Sequence, residues 1–112
     1  MSETIFTKII NREIPADIVY EDDLCLAFHD VQPQAPTHVL LIPKKPIAKV
    51  ADAGPEDQEL LGHLMLKAGA IAGDLGAENF RLVVNNGAEA GQSVFHVHLH
   101  ILAGRPFKWP PG

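Results

Sequence analysis

One stretch of this chain, Leu60 to Leu75, carries a long apolar stripe at helical period: Leu60, Leu61, Leu64, Met65, Ala68, Ile71, Ala72, Leu75. Gly54-Pro55-Glu56-Asp57 opens it, with proline at the first turn and acids at the positive end of the dipole. Gly76 closes it as a C-cap. Gly69 and Gly73 share one face, which predicts close packing there against a sheet or a partner chain. The other apolar runs are short. Thr4 reads as an N-cap, and Ile5, Phe6, Ile9 and Ile10 as a short helix that Pro15 ends. Ile18 to Glu21, Leu24 to His29, Thr37 to Pro43, Phe80 to Asn85 and Val94 to Leu102 read as strands, with Asp22-Asp23 as a tight turn between the first two. Strands do not alternate with helices, so the class is α+β: a five-stranded, mainly antiparallel sheet with one long and one short helix. A single long helix leaves part of such a sheet uncovered, which favours a dimer.

At 112 residues the chain is expected to form a single domain spanning 1–112. The net charge of −5, without a Lys/Arg block, argues against a nucleic-acid partner, because duplex binding relies on neutralising phosphates. Cys25 is the only cysteine, so neither an internal disulfide nor a thiolate metal cluster is expected. Met1-Ser2-Glu3-Thr4 lacks the basic start of a signal peptide, and no apolar run is long enough to span a membrane. The expected setting is the cytoplasm.

Within the last predicted strand, side-chain alternation puts His96, His98 and His100 on one side and Val97, Leu99 and Ile101 on the other. Three readings compete. Two adjacent imidazoles can chelate zinc, but the outer pair lies about 13 Å apart at strand spacing, and a second ligand motif is missing. Histidines satisfied by hydrogen bonds alone would suit one such residue better than three in alternation. Nucleophilic catalysis suits all three. A neutral imidazole attacks phosphorus well near neutral pH, and its neighbours can fix its tautomer, hold phosphate and protonate a leaving group. This scheme, the preferred one, requires neither metal nor cofactor. The preceding loop, Asn85-Asn86-Gly87-Ala88-Glu89-Ala90-Gly91-Gln92-Ser93, supports it with glycines that let backbone N–H groups approach phosphate and a serine hydroxyl.

With these residues in view, the chain resembles the histidine triad superfamily, whose His-φ-His-φ-His-φ-φ signature (φ apolar) stands here as His96-Val97-His98-Leu99-His100-Ile101-Leu102. Asp22-Asp23, Ala27-Phe28-His29-Asp30, Pro33 to His38, Gly91-Gln92-Ser93 and Trp109-Pro110-Pro111-Gly112 extend the likeness to the histidine triad nucleotide-binding branch, the purine nucleoside phosphoramidases. The resemblance implies a homodimer with one continuous ten-stranded sheet and a purine nucleotide substrate. It implies that His98 attacks the α-phosphorus to give a nucleotidyl-histidine, that His100 and Ser93 serve the phosphate and leaving group, and that His96 and His38 orient the nucleophile. Asn85, Gly91, Gln92 and Ser93 would line the phosphate site, Asp30 would bind ribose, and Phe28, Val31 and Ile14 would hold the purine. In the nucleotidyl-transferase branch the third histidine is glutamine, so His100 favours a hydrolase.

Without the resemblance, Phe28, Ile14 and Val31 read as ordinary core, Asp30 as a turn starter, His38 as a hydrogen-bonded core histidine, and Cys25 as a small buried hydrophobe. His29 and His63 read as structural or exposed. The resemblance implies that Trp109 reaches toward a partner's active site; without it the residue reads as a loosely held tail. The expected reaction is hydrolysis of purine nucleoside 5′-phosphoramidates, or related acyl and aminoacyl nucleotides, to the monophosphate. The alternatives are a dinucleoside polyphosphate hydrolase and a nucleotide-binding interaction module.

Overall fold

The computed structural model describes residues 3–112; Met1 and Ser2, the start of the segment read as lacking a leader, lie outside the described residues. Helix α1 spans Ile5–Ile10 and is closed at its start by a reciprocal cap. The Thr4 hydroxyl accepts from the Thr7 N–H, and the Thr7 hydroxyl accepts from the Thr4 N–H. The helix stops well before Pro15. Asn11 caps it and Arg12 turns into the left-handed region at φ 62°, so the chain has already left the helix when the proline arrives.

Strands β1 (Ile18–Glu21), β2 (Cys25–His29), β3 (Thr37–Pro43), β4 (Phe80–Val83) and β5 (Leu99–Ala103) form one antiparallel sheet in the order β1-β2-β3-β5-β4. The turn between β1 and β2 is built by Asp22, whose Oδ1 accepts the N–H groups of Leu24 and Cys25. A 3₁₀ turn at Pro55–Asp57 leads into α2 (Gln58–Asp74), and Gly76 follows at φ 81°.

Strand parity gives the sheet two different faces. Cys25 and Ala27 of β2, Val39 and Leu41 of β3, and Leu99 and Ile101 of β5 pack with Leu64, Ala68, Ile71 and Ala72 of α2. Leu26 and Phe28, with Leu40 and Ile42, point the other way and pack with Phe6 and Ile9 of α1. His38 and His100 hold the same parity as Leu40, Ile42 and Phe28, so they stand on the α1 face, which the short helix covers only in part.

One expectation about α2 is corrected, and another loses one of its two alternatives, packing against the sheet. Met65 was placed in the core stripe, but it is 57% exposed, and its neighbour Leu66 is 77% exposed. Gly69 and Gly73 do not approach the sheet: a Cβ at either would meet nothing within 4 Å. With Gly62 they form an outward stripe, at the helical i, i+3, i+4 spacing, together with Met65 and Leu66.

The hairpin and α2 are tied by polar contacts. Asp22 Oδ2 accepts from the Tyr20 hydroxyl and lies 2.7 Å from His63 Nε2 on α2, while Lys67 sits over the Tyr20 ring. No helix of the described residues is long and apolar enough to cross a membrane.

Candidate active site

The predicted strand from Val94 is shorter than expected: the ladder begins at Leu99. Val94, Phe95 and His96 form a bend instead, and the Val97 N–H donates to the carbonyl of Ile47, outside the sheet. His100 alone of the three is in the ladder, opposite Leu40 of β3 and Val83 of β4. The three rings consequently have different partners rather than a common one.

The His96 ring is buried and its Nε2 donates to the carbonyl of Pro43 at 2.7 Å, which ties the segment to the end of β3. Burial lowers its pKa, with the Pro43 carbonyl opposing the shift. Its Nδ1 is buried without a hydrogen-bond partner among the described residues. His98 Nδ1 lies 2.8 Å from the carbonyl of His96. A carbonyl only accepts, so Nδ1 carries the proton and Nε2 keeps the lone pair. Phe6 packs against this ring in a T-shaped arrangement, with centroids 5.0 Å apart and the planes at 85°. His100 Nδ1 lies 2.9 Å from Nε2 of His38, whose own Nδ1 accepts the N–H of Gln34. Burial first, then the adjacent His98 and His38, pushes the His100 pKa down to about 4. Burial also lowers that of His38, against the pull of Asp30.

His38, His98 and His100 border a cavity of about 780 Å³ on the α1 face. The structure brings Ile14, Phe28, Asp30, Val31, His38, Gly91, Ser93, His98 and His100 to its wall, all of them expected from sequence. Val31, 94% exposed, stands at the outer rim of that wall. Asn85, Gln92 and His96 do not line it. Gln92 is a buried brace: its Oε1 accepts the Gly87 N–H, and its Nε2 donates to the carbonyls of Ala48 and Val94. Asn85 lies behind Gly91, which turns at φ 101° beside its amide. Sequence reasoning missed Phe6, Asp17, His29 and Gln34, which also line the cavity. Phe6 was visible only as an apolar helix position, and Gln34 contributes a backbone group that side-chain reading does not register.

Asp30 has two contacts. Oδ1 accepts the Gln32 N–H as in an ordinary turn, while Oδ2 lies 3.4 Å from His38 Nε2. Asp30, His38 and His100 are close enough together to share a metal ion, as are Asp22, Cys25 and His63. Cys25 is fully buried, and desolvation with Asp22 beside it pushes its thiol up to about 12. Among the described residues, the cavity wall includes no Lys or Arg, and its carboxylates are Asp17 and Asp30.

A two-faced antiparallel sheet that presents one imidazole lone pair and a linked imidazole pair to an open cavity defines a histidine-based site. The HIT domain family matches residues 11–107, and the chain belongs to that family. It is 72% identical to an uncharacterized HIT-like protein of Synechocystis over 98% of this chain and 97% of that one. Among solved structures it is similar to a HIT family hydrolase from Legionella pneumophila, with 47% identity, 98% of this chain and 100% of that chain covered, and a TM-score of 0.95. It is also similar to a histidine triad nucleotide-binding protein from Candida albicans, at 31% identity over 98% of this chain and 85% of that chain, with a TM-score of 0.82.

Proposed function

We propose that the chain hydrolyses purine nucleoside 5′-phosphoramidates, and related acyl or aminoacyl nucleotides, through a nucleotidyl intermediate on His98. The carrying observation is the His98 ring itself: Nδ1 is held by the His96 carbonyl, which leaves Nε2 as a free nucleophile in the cavity wall. Nε2 attacks the α-phosphorus, the P–N bond breaks, and its electron pair leaves with the amine nitrogen. His100 supplies the proton that makes the free amine. Water then attacks phosphorus, the P–Nε2 bond breaks, its pair returns to His98, and a water proton restores His100. Ser93 and the Gly91 backbone serve the phosphate, Asp30 the ribose hydroxyls, and Phe28 with Ile14 the purine face. Asn85 and Gln92 act from behind the loop, and His96 orients.

The absence of Lys and Arg from the described wall favours a phosphoramidate over a dinucleoside polyphosphate. A single phosphate charge can be met by neutral donors, whereas a chain of several phosphates calls for cations. The outward apolar stripe of α2 and the open edge of β4 support a homodimer joined into a ten-stranded sheet. In that assembly Trp109, 82% exposed here, has a partner surface to meet.

Acid-quenched turnover of amine-linked AMP, weighed as intact protein, is expected to show a nucleotidyl adduct that His98→Ala abolishes. Amine-linked AMP is also expected to be cleaved faster than diadenosine polyphosphate. Faster polyphosphate cleavage, or active enzyme without an adduct, refutes the proposal.

A further inference from the structure

A general acid must arrive with its proton on the nitrogen that faces the leaving group. Neutral histidine has two tautomers, and only one serves. The structure contains a chain of contacts that selects between them. The Gln34 N–H donates to Nδ1 of His38 at 3.0 Å, so that nitrogen is an acceptor. Neutral His38 therefore carries its proton on Nε2. Nε2 faces Nδ1 of His100 at 2.9 Å and Asp30 Oδ2 at 3.4 Å, and only the first distance is that of a good hydrogen bond. His100 Nδ1 thus accepts, and neutral His100 carries its proton on Nε2, which has no partner among the described residues. The groups facing this pair are Asp30 and His98.

The start of this chain is itself fixed. The Gln34 carbonyl accepts two hydrogen bonds from the Arg105 guanidinium, at 3.3 and 3.1 Å from Nε and Nη2. Arg105 stacks over Phe107 at 4.4 Å, and Arg81 of β4 lies over the same ring. Arg81 also donates to the carbonyl of Lys108. The segment after β5 is thereby fastened to the loop before β3, and that loop aims one amide at one imidazole.

We propose that the Gln34 backbone, clamped by Arg105, is the positioning element that makes His100 a hydrogen donor toward the cavity. His98 and His100 then hold opposite senses two residues apart: the His96 carbonyl makes one ring a lone pair, and the Gln34 amide makes the other an N–H. The inference builds on the reading of His100 as the proton donor in the proposed hydrolysis, but its first test does not require turnover.

Long-range ¹H–¹⁵N correlation spectra of histidine-labelled protein at neutral pH are expected to show Nε2–H tautomers for His38 and His100 and Nδ1–H for His98. An Nδ1–H or doubly protonated His100 overturns the proposal, whatever the substrate proves to be. Gln34→Pro deletes the amide donor, and Arg105→Ala removes the clamp at an exposed side chain. In both, His100 is expected to shift toward a tautomer mixture. With AMP linked to an aliphatic amine, kcat should fall about tenfold or more with little change in KM, a part of what general acid catalysis contributes. AMP linked to p-nitrophenol, whose leaving group needs no proton, should be spared. Arg105→Lys, which keeps the charge but loses the planar fork, should restore little. An equal loss on both substrates, or none on either, overturns the proposal. Failure to form any His98 adduct would instead refute the hydrolase reading and leave the tautomer result standing.

Discussion

His96, His98 and His100 share a residue type and a spacing, yet each ring is held by a partner of its own: the Pro43 carbonyl, the His96 carbonyl and the His38 ring. The sequence made the imidazoles legible as a reactive group, because alternation with Val97 and Leu99 is hard to explain by packing. It did not show the carbonyls of Pro43 and His96 or the amide of Gln34, since every residue has such groups and only the fold aims them. Burial of these rings has a consequence for stability. His38, His96 and His100 all have pKa values lowered in the folded state, His100 to about 4, against about 6.5 in an unfolded chain. Between those limits the unfolded state binds more protons, so stability is full above about pH 6.5 and falls as pH drops toward about 4. Melting temperatures measured across that window should decline steadily, and His100→Gln, which cannot titrate there, should flatten the decline.

At the scale of elements, periodicity identified both helices and all five strands, while several ends were set by contacts outside the local sequence. β5 starts at Leu99 and not Val94 because the chain bends at Val94, Phe95 and His96 and the Val97 amide is taken by Ile47, so the alternation written in the sequence is not carried by a strand there. α1 ends at Ile10 because Arg12 takes a left-handed conformation that its residue type does not advertise. The joint between hairpin and α2 was half visible: Asp22 was read as a turn residue, but its link to His63 crosses the chain. Desolvation alone would raise the Asp22 pKa. The Tyr20 hydroxyl, the Leu24 and Cys25 amides and His63 outweigh it and hold the carboxylate well below its usual range. That contribution is present above the unfolded pKa and is lost as pH falls through the folded one. Asp22→Asn removes the charge that gathers these donors and should cost about 1–3 kcal/mol in denaturant titration, the range for a buried donor left unsatisfied.

For the whole molecule, the expected α+β sheet is the observed one, and Ile14, Phe28, Asp30, Val31, Gly91 and Ser93 border one cavity while Asn85 and Gln92 stand behind it. The outer surface of α2 was less legible, since a helical stripe in sequence does not say which of two apolar faces meets its own sheet. Met65 and Leu66, exposed beside Gly62, Gly69 and Gly73, argue for a second copy there. Sedimentation should find the wild type at twice the 12.2 kDa chain mass, and Leu66→Glu should shift it toward the single chain. The two faces of the sheet also differ in how they are held. One is closed by the 17 residues of α2, the other by the six of α1, with the cavity open beside it. A helix of six residues has little stability of its own and relies on what it rests against. Phe6 rests on the His98 ring. A nucleotide that fills the cavity would extend that support and, by mass action, anchor the N-terminal helix more firmly. The chain's response to its ligand would then be a redistribution of local order, concentrated in its first turns and silent in the core beneath α2.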